Sequence, residues 1–206
     1  MLALLSMALA VACIACVLCV KSVRKKSVES MIMSYPFPTA IQEKLEKQYP
    51  HLSPSDLDQV LAGLREYFCI CNAAGRRFVS MPSQAVDVAW HEFILMTRTY
   101  EDFCRRAFGR FLHHTPARAA ESPGTVRDGI KLAWWHACLR EGINPRAATR
   151  LPLLFSIDTR LDIPDGFKYS LDCLQPENHS NCAAHIGCGG GGGVGGGCSG
   201  CGGCGG

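Results

Sequence analysis

The sequence predicts a mainly α protein: a single N-terminal transmembrane helix, a small helical cytoplasmic domain and a disordered Gly/Cys-rich tail. Three observations predict this. Residues 1–20 carry no charged side chain, and a helix of that length crosses a hydrocarbon core of ~30 Å. Through residues 39–167, apolar residues recur at three- and four-residue intervals between Ser/Pro starts and Gly stops, the pattern of helices burying one face. Residues 168–206 then pass into glycine, with His179, Cys182, His185 and Cys188, and again Cys198, Cys201 and Cys204, three apart. Glycine loses more conformational entropy on ordering than any other residue, so such a stretch orders only around something else.

The anchor is expected to be retained. A cleaved signal peptide needs a basic region before its apolar stretch and a small-residue cleavage site after it. Here Lys21, Arg24, Lys25 and Lys26 follow the stretch, and Val17-Leu18-Cys19-Val20 runs directly into Lys21. Basic residues stay on the cytoplasmic side, which places the C-terminal bulk inside, with the lipid bilayer as the partner of residues 1–20. In that compartment the thirteen cysteines are expected to be free, metal-bound or modified rather than paired as disulfides. Cys13, Cys16 and Cys19 lie along one side of the helix as small packing residues, and Cys19, beside the basic run, is a candidate for palmitoylation. The formal charge of +3 is small and sits largely in the basic run, so nucleic acid is not an expected partner.

Residues 21–38 read as a basic, proline-containing linker, extended around Pro36 and Pro38. The domain, residues 39–167, opens with a short amphipathic helix carrying Ile41 and Leu45 and broken at Pro50. Ser53-Pro54-Ser55-Asp56 starts a second helix, whose Leu57, Val60, Leu61, Leu64 and Phe68 face a core before Gly75. Ser83 caps a third helix, with Val86, Ala89, Trp90, Phe93 and Ile94 apolar. Thr97 and Thr99 are N-cap candidates, and Thr99 with Asp102 resembles a capping box, so the helix is expected to break near Met96 and to restart toward Phe108 and Gly109. Thr125 begins a further helix, closed by Gly142 and Pro145. The segment LPLLFSIDTRLDIP offers one short strand, poorly placed for a sheet centre by its prolines.

Chemistry gathers between Val86 and Pro116, where His91, Cys104, His113 and His114 supply imidazole and thiolate donors suited to zinc. In one straight helix the thirteen-residue step from His91 to Cys104 leaves them roughly 140° apart. The site therefore needs the break near Met96 and a turn at Gly109. Asp87, one turn before His91, is placed to hold its second nitrogen as an outer partner. Two other readings stand beside the metal: His91 hydrogen-bonded to Asp87 within an aromatic core, and a Cys104 nucleophile with His113 as base. His136 reads as structural, or as completing a site.

VDVAWH, followed by TRTYEDFCRRAFGRFLHHTP, resembles the bacterial glycine-rich domain-containing proteins of unknown function. The pattern is Trp-His, Tyr-x-x-x-Cys, Phe-Gly and paired His before Pro, with a Cys/Gly-rich end. More distantly, VDVAWH with Tyr100 is similar to the Trp-His segment of plant glycine-rich domain proteins. Related sequences carry His-x-His where this chain has His91-Glu92-Phe93, which implies one ligand fewer here. The resemblance implies a bacterial protein and an architecture, and brings no activity with it. Together with the anchor it implies a single-pass protein of the bacterial inner membrane.

In the tail, His179, Cys182, His185 and Cys188 are enough in number for a tetrahedral site, and Cys198, Cys201 and Cys204 add thiols for zinc, copper(I) or an iron–sulfur cluster. The same composition suits a flexible tether or a protein-interaction segment. The function expected from these readings is non-enzymatic binding or assembly at the membrane, with zinc as the first candidate ligand. A metal- or thiol-dependent hydrolase or transferase using His91, Cys104, His113 and His114 is one alternative. An interaction module working through the tail, without metal, is the other.

Overall fold

The computed structural model describes residues 2–114, 123–171, 182, 183 and 186, and of residues 2–12, 21 and 123 it describes the backbone alone. Seven helices are present among them: α1 Leu2–Met33, α2 Thr39–Gln48, α3 Pro54–Ala74, α4 Gln84–Leu95, α5 Thr97–Phe108, α6 Pro123–Arg140 and α7 Leu153–Arg160. The mainly helical class holds. Among the described residues no helix is long and apolar enough to cross a membrane. Residues 1–12 of the expected span lie outside the described side chains.

α3 is the central helix. Ser53 caps it reciprocally with Asp56, and Pro54 occupies its first turn, where a missing N–H costs nothing. Along its second half Tyr67, Phe68, Cys69, Ile70 and Cys71 are all buried in succession, because α1, α4, α6 and α7 pack around it. A helix apolar on every side is one enclosed on every side. Aromatic rings fill the space between α3, α4 and α5: Phe68 lies 4.8 Å from Phe103 and 6.2 Å from Phe93, with Tyr35 4.8 Å from Phe103.

Three expectations are corrected. The linker is not extended from residue 21: α1 continues to Met33, leaving 34–38 as the connection. Ile32 is fully buried, and Glu29 pairs with Arg140 of α6, which also holds Glu66 of α3 at 2.6 Å, so the end of α1 belongs to the domain. The segment offered as a strand is α7. Pro152 lies just before its first residue, where a fixed φ suits a helix start, and Leu154, Phe155 and Ile157 are buried. Thr99 is not a cap, since α5 begins at Thr97 after Met96 without a side-chain cap bond.

The flexible tail does not start at residue 168. Tyr169 packs edge-on against Phe155 at 4.8 Å, Ser170 pairs with Cys182 in a parallel bridge, and Ala183 is buried. Cys182 is itself disulfide-bonded, against the expectation that every cysteine is free, metal-bound or modified. Its segment is drawn to residue 170 by a 2.8 Å bond from Ala183 N–H to the Ser170 carbonyl.

Candidate metal centre

The site is built by the start of α4 and the chain that returns after α5. Ser83 accepts a hydrogen bond from Val86 N–H at 3.2 Å and so caps α4. The Ser83 hydroxyl donates in turn to the buried Asp158 of α7 at 2.6 Å, and the same carboxylate accepts from Gln84, Ala85 and Phe167 N–H. A charge at a helix N-terminus meets the unpaired N–H groups there. This fixes the first turn of α4, which carries Asp87, with His91 one turn later on the same face.

α4 breaks at Met96, as the sequence requires, and α5 runs to Gly109, whose φ of 65° turns the chain back in the left-handed region. The returning segment is pinned by a relay: Trp90 Nε1–H donates to the Tyr100 hydroxyl at 3.1 Å, and that hydroxyl donates to the Leu112 carbonyl at 2.5 Å. Two residues on, His114 stands edge-on to Trp90 at 4.5 Å.

Asp87, His91 and His114 meet here. His114 Nε2 is 2.9 Å from Asp87 Oδ1, and His91 Nδ1 is 3.3 Å from Asp87 Oδ2. The imidazole centroids are 4.2 Å apart. One donor atom from each of the three residues lies within 4.8 Å of the others, so the group can hold a metal ion. The His114 side chain is 11% exposed and that of His91 50%, which leaves one flank closed and the other open.

The remaining expected ligands fall elsewhere. Cys104 is fully buried on the inner face of α5 with Tyr100 and Phe103. The break at Met96 thus serves core packing and does not bring Cys104 round to His91. Burial pushes its thiol pKa up, opposite to what a thiolate nucleophile needs. His113 is exposed and stacks on Phe111 at 4.8 Å. His136 lies 3.5 Å from Arg77 Nη2 and takes no part in the triad. Phe93, at the missing His-x-His position, is fully buried. Of the tail ligands, Cys182 is described and its sulfur is committed to a disulfide. His179, His185, Cys188, Cys198, Cys201 and Cys204 lie outside the described residues.

From the sequence Asp87 reads as an outer partner of His91 alone, whereas in the fold it stands between two imidazoles and contacts both. Sequence reasoning passed over Asp158 altogether. Its position in an apolar run, LLFSIDTRL, was the available signal, because a carboxylate buried with an apolar helix face must find hydrogen-bond donors. The triad opens on a cavity of about 870 Å³ lined by the residue 76–81 segment, by α6 and by Phe167, Tyr169, Cys182 and Ile186.

A family model described as UCP032817-like matches residues 27–190 of the 206. No curated protein and no solved structure matches the chain. The matched region begins where α1 joins the core and reaches past Cys182 and Ile186, thus containing the whole of the site. The chain belongs to the UCP032817-like family, a description that carries no activity.

Proposed function

We propose that this member of the UCP032817-like family is a membrane-anchored metal-binding protein whose Asp87, His91 and His114 hold a divalent transition metal, zinc first. The observation that carries the reading is the convergence of one carboxylate and two imidazoles at 2.9 and 3.3 Å. Donors about 2.0–2.1 Å from a zinc ion stand about 3–3.5 Å apart in a tetrahedron; both imidazole–carboxylate distances lie near that spacing, and one donor atom from each residue lies within 4.8 Å of the others. Two His and one carboxylate form a donor set for zinc or iron(II) that leaves exchangeable positions. Here all three residues line the cavity.

The likeness of residues 86–116 to the glycine-rich domain-containing proteins fits this reading, since its Trp90, Tyr100, Gly109 and His114 are the residues that build the site. The anchor, the inner-membrane location and the cytoplasmic side of the domain rest on residues 1–26 of the sequence. Extraction of cell membranes at alkaline pH tests them: the full chain stays with the bilayer, and release into the soluble fraction ends that part of the proposal.

A metal-dependent hydrolase is the second reading, favoured by three protein donors over a cavity of substrate size. It dispenses with Cys104. The test of the metal is elemental analysis of the purified full chain, of Asp87→Asn and His114→Ala, and of a chain ended at residue 190. Stoichiometric metal in the full and shortened chains, lost in both substitutions, supports the triad. Metal lost with residues 191–206 moves binding to the tail, and metal absent from all four ends the metal reading.

A further inference from the structure

The cavity beside the triad has a charge imbalance that metal binding leaves unused. Arg76 and Arg77, Arg110, and Arg127 with Lys131 line it from three separate parts of the chain. Among the described lining residues Asp87 is the one acidic side chain, and it is engaged by His91 and His114. Across the chain, basic residues exceed acidic ones by only 21 to 18, so composition does not account for five against one. Among the described residues none of the five cations has a carboxylate within ion-pair distance. Arg110 donates to the Gly75 carbonyl at 2.8 Å and Arg77 to the Ala74 carbonyl at 3.3 Å. Those bonds position the guanidinium groups without neutralising them.

Much of the remaining wall is apolar, with Phe78, Val126, Ile130, Phe167 and Ile186, beside polar Ser80 and Gln84. A volume of about 870 Å³ far exceeds a bare inorganic anion and lies within the range of sites for drug-sized ligands. Guanidinium groups recognise phosphate and carboxylate through paired N–H donors.

We propose that this cavity binds an organic anion with an apolar body. Its phosphate or carboxylate head lies among Arg76, Arg77, Arg110, Arg127 and Lys131, and its body lies along Phe78, Ile130 and Phe167. The cation cluster exists without a metal, so this inference stands apart from the metal reading.

Isothermal titration of the full chain in uncharged detergent, before and after chelation, tests it. The probes are 1-naphthyl phosphate, 1-naphthoate, inorganic phosphate and 1-naphthylmethylammonium. At least one naphthyl anion is expected to bind tenfold or more tighter than inorganic phosphate and the ammonium compound, and to weaken from 50 to 500 mM salt as screening shortens the reach of the cations. The tighter of the two anions identifies the head group. Arg127→Glu with Lys131→Glu should cost at least tenfold; should that pair fail to fold, Arg76→Gln, Arg127→Gln and Lys131→Gln together should cost a similar factor. Equal binding of the ammonium probe, or unchanged affinity in folded variants, overturns the proposal. So does binding abolished by chelation but indifferent to these substitutions, which would place the anion on the metal alone. Binding of the naphthyl anion that survives chelation leaves this proposal standing, and a chain that purifies with no metal yet binds the anion defeats only the metal reading.

Discussion

The Asp158 carboxylate accepts a 2.6 Å hydrogen bond from the Ser83 hydroxyl, joining α7 to the residue that caps α4. Two contiguous backbone N–H groups at the α4 start and that of Phe167 complete its partners. One buried carboxylate therefore sets both the first turn of the helix bearing Asp87 and His91 and the chain that leads to the cavity wall at Tyr169.

Replacing Asp158 by Ala should lower stability by about 3 kcal/mol or more, because charge-assisted bonds are lost and buried donors are left unpaired. Denaturant unfolding measures this. A loss below about 1 kcal/mol would remove Asp158 from this role.

Tyr100→Phe removes the hydroxyl between Trp90 and Leu112 and keeps the ring. Expected are a stability loss of about 1–3 kcal/mol from the two stranded groups and weaker metal retention, since the segment before His114 loses its pin. Dialysis against a chelator of graded strength reads the second effect, which a purely structural role would leave unchanged.

Gly129 of α6 lies against the segment bearing Phe78 and Ser80. An added Cβ would sit 2.4 Å from Ser80 Oγ and 2.9 Å from Ser80 N, and Ser80 itself donates to the Val126 carbonyl at 2.8 Å. Gly129→Ala must therefore push α6 from the cavity wall. A lower melting temperature is expected despite the better helix propensity of alanine, and a raised one would show that the wall yields freely.

Burial raises the thiol of Cys104 and pushes those of Cys69, Cys71 and Cys138 up to about 12. At pH 8 these four should resist iodoacetamide in the folded chain and react within the same interval once unfolded. Peptide mass mapping follows each one separately. Labelling of Cys104 in the folded chain at the rate of a free thiol would return it to the list of nucleophiles.

Burial first, then Arg77, Lys25 and Arg140, hold His136 below the ordinary imidazole range. The unfolded chain thus takes up this proton at a higher pH than the folded one. Stability from neutral His136 is complete above about pH 6.5, the unfolded value, and is lost as the pH falls through it toward the folded value. His136→Gln should lose less melting temperature than the native chain between pH 7 and pH 5, and an identical loss would assign the acid sensitivity to other groups.

Much of the helical order was legible. Ser53-Pro54, Ser83, Gly75 and Gly109 act locally, through capping bonds and allowed φ, and their consequences need no distant partner. The break at Met96 was legible for the same reason, but its use was not. Whether it turned Cys104 toward His91 or into the core depended on Tyr35 of the 34–38 connection and on rings from α3 and α4 packing against Phe103.

The sequence by itself determined helices α2 to α6 and the Asp87–His91 pair, the helices because their caps and breaks act locally and the pair because one helical turn joins it. Tertiary structure alone decided that His114 completes the group, that Cys104 and His113 do not, and that five cations from three segments share one cavity. Those outcomes depend on contacts between residues far apart in the chain: Asp158 with Ser83, Trp90 with Tyr100 and Leu112, and Asp87 with His114. Periodicity reports which face a residue occupies on its own helix, and carries no information about the element that comes to meet it.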